Sequence, residues 1–181
     1  MSLFIGDGSG SGGGDAAVKA GKLRVYGVIE EEQAHANEDD GTAFSILIDQ
    51  ATSAGDDQFF YIKNSGESDL HITSMKGFVA GDTEIKVLMG VTGTPTSGSA
   101  LTPVNRNAGS AKTISGTIEQ GADLQLTGGS IVDLFEMAAA ATGLFKISWG
   151  SSLILPKNGT LCLESSAATT INLTVSCYSH R

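Results

Sequence analysis

Residues 43–49 read AFSILID, and their alternation decides the fold: Phe44, Ile46 and Ile48 share one face while Ser45, Leu47 and Asp49 share the other. A period of two sends successive side chains to opposite sides of an extended chain, the pattern of a strand with one face buried. Residues 170–178, TINLTVSCY, repeat it at the far end, with Ile171, Leu173, Val175 and Cys177 on one face. Between these stretches the pattern recurs over 58–64 (QFFYIKN), 70–75, 84–91, 144–149, 153–156 and 160–164. In 84–91, Ile85, Val87, Met89 and Val91 are expected to share a face. In 144–149, Phe145, Ile147 and Trp149 alternate with Lys146 and Ser148. Turn-forming residues bound several of these runs, the Asn158-Gly159 pair among them. Weaker strands are expected over 113–119 and 123–127, and a first one from Leu23 to Glu30.

Around ten short strands with almost no helix predict an all-β chain, an antiparallel β-sandwich of jelly-roll type with at most one short helix. That helix is expected over 130–143. Ser130 and Asp133 resemble a capping box, Ile131, Leu134, Phe135 and Ala138 recur at helical spacing, and Gly143 can end the helix. The competing reading is a buried strand from Ile131 to Met137, since short apolar runs fit both periods. The polar, turn-rich stretch 92–112 reads as a long connecting excursion.

The chain divides into an N-terminal arm, residues 1–22, and a β-sandwich domain, residues 23–181. The arm holds a flexible Gly/Ser-rich run from Gly6 to Gly14, preceded by an apolar tip, Leu3, Phe4 and Ile5. A tether with a hydrophobic end suits a segment that orders only on a partner; the alternative is a disordered terminus. Asp15 can cap a single helical turn from Ala16 to Ala20, ended by Gly21.

Composition narrows the function. With 24 Gly, 3 Pro and only 17% charged residues among 181, the chain is neither polar-disordered nor too small for its own core. A net charge of −9 argues against a basic nucleic-acid surface. Six carboxylates crowd residues 30–40: Glu30, Glu31, Glu32, Glu38, Asp39 and Asp40. They read as a solvated acidic connector or, more sharply, as a cation site, though no defined ligand spacing supports the latter. No signal-peptide core and no apolar run near 18 residues appear, so a reducing cytoplasm and no membrane are expected. Cys162 and Cys177 sit in alternating strands as small core residues; whether they pair is left open by the sequence.

No catalytic constellation is legible. The run GDGSGSGGGD lacks the Gly-Lys-Ser/Thr ending of a phosphate loop and the order of a nucleophile elbow. His35, His71 and His180 show no spacing toward a Ser or Cys and a carboxylate. Carboxylates are plentiful enough for glycoside chemistry, but Trp149 is the only tryptophan and reads as core. Phe59, Phe60 and Tyr61 read as sheet packing, with one face available to a subunit interface. No catalytic residue, metal ligand or cofactor site is therefore assigned.

Several motifs, in order, carry a resemblance: KAGKLRV at 19–25, EDDGTAFSILI at 38–48, YIKN at 61–64, GVTGT at 90–94, TPVNRN at 102–107 and LPKNG at 155–159. Over most of residues 19–160 the chain resembles a group of tailed-bacteriophage virion proteins that decorate or cement the capsid. The resemblance implies a β-sandwich subunit that forms homotrimers, binds the major capsid protein on the outside of the virion, and grips its neighbours with a terminal extension. It implies synthesis in the host cytoplasm and carries no catalytic signature. The Gly-rich arm and the alanines Ala138 to Ala141 depart from it and leave the mode of attachment open. On this reading Leu3, Phe4 and Ile5 dock into an apolar groove of the lattice. The loop with Asn105 and Arg106 is a second contact, or else an ordinary solvated turn. Two other expectations stand beside it: a different virion module (head fibre, tail or receptor-binding protein) and a carbohydrate-active jelly-roll enzyme, which needs a pocket with two carboxylates and an aromatic platform.

Overall fold

The computed structural model describes residues 16–19, 22–25, 32–137 and 145–180. By internal contacts the chain divides into two units, Met1–Glu32 and Gln33–Arg181. In the first, β1 (Ala16–Lys19) pairs antiparallel with β2 (Lys22–Val25), Val18 opposite Leu23. The helical turn expected behind Asp15 is thus replaced over Ala16–Lys19 by a strand, because these backbone groups are taken up by the facing ladder. The expected strand from Leu23 is β2 as far as Val25; residues 26–30 and the apolar tip of the arm lie outside the described residues.

The chain continues with α1 (Glu32–Glu38), which belongs to the second unit from Gln33 onward, followed by β3 (Ala43–Ala51), β4 (Asp57–Asn64), β5 (Asp69–Val79) and β6 (Thr83–Thr92). Two short strands, β7 (Ser99–Ala100) and β8 (Val104–Asn105), and then β9 (Gly116–Gln120) lie within or follow the long excursion. The chain ends with β10 (Thr127–Met137), β11 (Phe145–Leu155), β12 (Thr160–Ser165) and β13 (Thr170–His180). One sheet has the order β11-β5-β13-β3-β8, the other β10-β6-β12-β4-β9-β7, and every pairing is antiparallel. The protein is an all-β sandwich with one short helix among its described residues. That helix is α1, within the acidic stretch; no described helix is long and apolar enough to cross a membrane.

The alternation read in the sequence supplies the core. Phe44, Ile46, Ile48, Leu173 and Val175 from one sheet meet Phe60, Ile62, Ile85 and Leu163 from the other in a single buried cluster. Fully burying each such side chain stabilises the fold by about 1.5–3 kcal/mol before conformational entropy is charged against it. A second cluster lies on the outer face of the six-stranded sheet, where Leu124 and Leu126 close over Tyr61, Leu88 and Cys162. There the Leu124 N–H donates to the Gln58 carbonyl and the Leu126 N–H to the Gln58 side-chain oxygen. The strand expected over 123–127 is therefore a lid across a sheet, and only Thr127 enters a strand. On the other sheet, Ala36 of α1 covers Ala43 and Tyr178.

Four further expectations change. The helix over 130–143 is strand β10 as far as Met137, paired with β6 from Thr127–Thr92 to Met137–Thr83; residues 138–144 are outside the described ones. The register shifts between Ile131, opposite Leu88, and Asp133, opposite Val87. That bulge inserts Val132, so the outward-facing Ile131 and Leu134 are three apart and imitate helical spacing. Val91 leaves the face of Ile85 and Val87 and joins the Tyr61 cluster, after Gly90 at φ +75° interrupts the alternation. The strand expected over 113–119 begins at Gly116, and the runs 144–149 and 153–156 are the two halves of one bulged strand, β11.

Candidate interaction surface

The chemistry-bearing residues are dispersed. His35 pairs with Asp39 at 2.8 Å along α1, and His71 stacks on Tyr178 with ring centroids 4.7 Å apart. Cys162 and Cys177 are both buried free thiols in different sheets, so they form no disulfide. Burial pushes both thiols up, Cys177 to about 12, which keeps them protonated and unreactive. Among the described residues no group of three or more His, Cys, Asp or Glu could hold a metal ion. A recess of about 370 Å³ beside β9 is lined by Ala100, Leu101, Ile114 and Thr117, with Glu119 its one carboxylate and no aromatic ring.

Of the expected contact residues, Leu3, Phe4 and Ile5 lie outside the described residues. Asn105 and Arg106 follow one another at the end of β8. The Asn105 amide donates to the carbonyls of Gly41 (2.9 Å) and Lys112 (3.1 Å), and its oxygen accepts from the Asn107 N–H. Its side chain is thereby committed to shaping the loop. Arg106 donates its backbone N–H to Ala43 and leaves its side chain exposed.

The two flanks of the sandwich differ. On one, the sheets end in β7 and β8, two residues each, which cover the edges of β9 and β3. Very short edge strands leave little backbone for an unwanted partner. On the other flank the sheets end in β10 and β11, eleven residues each, with no strand beyond them among the described residues. These edges are tied together: Trp149 Nε1 of β11 donates to Asp133 Oδ2 of β10 at 2.8 Å, and Phe135 tilts against Trp149 with centroids 6.3 Å apart. The bulge turns Asp133 toward the indole.

Exposed apolar side chains gather near this flank. Ile131 (55% exposed), Val132 and Leu134 lie on β10, Ile154 on β11 and Phe78 on the neighbouring β5. A long edge that carries exposed apolar residues offers unpaired backbone and apolar surface to another chain. The sequence shows these residues but reads 130–143 as a helix, or else Ile131 to Met137 as a buried strand, so their common exposed edge was hidden. The signal that could have revealed it is the β-branched pair Ile131-Val132 behind Gly128-Gly129. Comparison with protein-family models, with curated proteins and with solved structures found no match.

Proposed function

We propose that this chain is a virion structural protein of a tailed bacteriophage, which binds the outer capsid surface as a homotrimer and cements the lattice of the major capsid protein. The observation that carries this reading is the strand order. Numbered along the chain, the eight long strands run six, three, eight, one across one sheet and five, four, seven, two across the other. We infer from this a jelly roll, two Greek keys folded over one another, an architecture of viral capsid proteins and of lectins and cupins. A fold by itself does not assign a function. The resemblance of the motifs over residues 19–160 to those of capsid-decorating proteins favours cementing among the functions the fold can host, and the exposed apolar flank suits a protein that works by assembly.

The test is co-sedimentation of the purified chain with capsids assembled from the major capsid protein encoded in the same genome. Saturable recovery with the capsids supports cementing; a chain that stays in the supernatant at every ratio overturns it. In the same assay, Phe4→Asp weakens attachment if Leu3, Phe4 and Ile5 dock into the lattice. Unchanged affinity of a chain lacking residues 1–14 would remove the arm from the reading.

A further inference from the structure

Within the two sheets of the sandwich, two like-charged pairs stand directly opposite one another across neighbouring strands. In the five-stranded sheet Lys146 of β11 faces Lys76 of β5; in the six-stranded sheet Glu136 of β10 faces Glu84 of β6. Like charges in such positions destabilise a sheet. No ion pair relieves them: among the described residues the ion pairs join Lys86 to Asp56 and Glu164, Lys157 to Glu67, and His35 to Asp39. Three of the four residues are exposed and Glu84 is half-buried.

Each pair projects from the outer face of its sheet. Lys76 and Phe78 alternate with the core residues Met75 and Val79, and Glu84 alternates with Ile85. Exposed apolar side chains accompany both. Lys146 and Lys76 continue in a row through Thr174 to Leu47, which is 58% exposed, with Phe78 beside them. Glu136 and Glu84 adjoin Leu134 and Ile131 on β10. The two outer faces of a sandwich point in opposite directions. A single contact can therefore use the lysine face of one copy and the glutamate face of another, but not both faces of both copies.

We propose that copies of this chain associate head to tail through these faces. Lys76 and Lys146 of one copy lie against Glu84 and Glu136 of the next, with Phe78 and Leu47 against Leu134 and Ile131. Each pair that repels itself within a copy is neutralised between copies, and because the two faces point in opposite directions a contact of this heterologous kind stacks copies in an open series. A face of four strands and about eight residues has a footprint of roughly 500 Å². A stable contact of about 800 Å² per partner would therefore extend past the face onto its rim, and on the six-stranded sheet it would include the segment with Leu124 and Leu126 that covers Tyr61, Leu88 and Cys162. The proposal rests on the self-association in the reading above, and neither on its closed trimer nor on its capsid partner.

Charge reversal with light scattering tests it, each variant being checked for folding by its circular dichroism melt. The unaltered chain should show a multiple of 18.5 kDa at low salt and move toward 18.5 kDa as salt approaches 1 M, where the screening length is about 3 Å. Lys76→Glu with Lys146→Glu should give 18.5 kDa, as should Glu84→Lys with Glu136→Lys. All four substitutions in one chain should restore the oligomer with its polarity inverted. A monomeric unaltered chain at low salt, a half-reversal that keeps the oligomer, or a four-fold variant that stays monomeric would each overturn the contact. If a half-reversal does not fold, the salt series on the unaltered chain decides. An oligomer that obeys these rules yet ignores capsids upholds the contact and overturns the cementing role.

Discussion

Replacing Asp133 by Ala tests the tie between the two edge strands and, with it, the assignment of residues 127–137 as a strand. Asp133 Oδ2 accepts the Trp149 indole N–H at 2.8 Å, and Asp133 Oδ1 accepts the Leu134 backbone N–H at 2.9 Å. A hydrogen bond to a charged group contributes about 1.5–3 kcal/mol. Both residues are half-buried, so water can reach the freed indole and the lower end applies, about 1.5 kcal/mol. A domain of this size loses about 2–4 °C of melting temperature per kcal/mol, which places the fall at about 3–6 °C. Trp149 is the only tryptophan, so its fluorescence reads this contact alone. Asp133→Ala should shift the emission to the red and raise quenching by acrylamide, while Asp133→Asn, which keeps a neutral acceptor, should fall between it and the unaltered chain. Were residues 130–143 a helix capped by Ser130, the Asp133 side chain would serve its own first turn, and the substitution would leave the Trp149 spectrum alone. An unchanged spectrum together with an unchanged melting temperature would refute the reasoning.

Asn64→Ala should be more costly. Its buried amide donates to the carbonyls of Ser68 and Leu155, both at 2.8 Å, and its oxygen accepts the Gly66 N–H, so three bonds at about 1 kcal/mol each predict a loss of roughly 2–4 kcal/mol in urea unfolding; a change under 1 kcal/mol would show that the turn is held without it. Gly77→Ala should abolish soluble folding, since a Cβ there would lie 2.0 Å from the Asn172 carbonyl oxygen and 2.7 Å from a Leu173 methyl, far tighter than the overpacking that costs about 1–3 kcal/mol; a stable Gly77→Ala protein would contradict the β5–β13 register. Both thiols should resist Ellman's reagent at pH 8 until the chain is unfolded. Because burial raises Cys177 from 9.0 to about 12, the unfolded chain releases this proton first as pH rises. Stability should therefore fall between those values, and Cys177→Ala should flatten that part of the curve.

How much of this was legible follows from what alternation encodes. A period of two states which side chains share a face, and the sets Phe44, Ile46, Ile48 and Ile171, Leu173, Val175, Cys177 are buried together as read. It does not state where a strand gains a residue. At Val132 the bulge converts a strand into an apparent helical stripe, and at Gly90 a positive φ moves Val91 to the opposite face. Both errors are local departures from the period and arise at bulges and glycines, where backbone geometry departs from the regular pleat. The helix that does form, α1, lay in a stretch whose charge drew attention from Ala34 and Ala36, although Ala is the strongest helix former and Ala36 supplies the buried contact.

The candidate surface was out of reach for a different reason. Lys76 and Lys146, or Glu84 and Glu136, are unremarkable charges until the sheet order makes them neighbours, and no periodicity within either strand predicts that order. Once the order is known, the pairs conflict with the rest of the molecule. On the same outer face of the six-stranded sheet, by contrast, Lys86 bridges Asp56 and Glu164, its ammonium held well above the usual lysine range first by the bond to Asp56. A sequence that folds consistently breaks local rules mainly where function or strain demands it. In the sandwich the breaches number one per sheet, carry opposite signs, and sit on opposite outer faces beside exposed apolar side chains. Either breach alone would be an ordinary imperfection of a surface. Their complementarity is what a second copy would answer, and the four-fold charge reversal is the variant whose behaviour distinguishes that answer from chance.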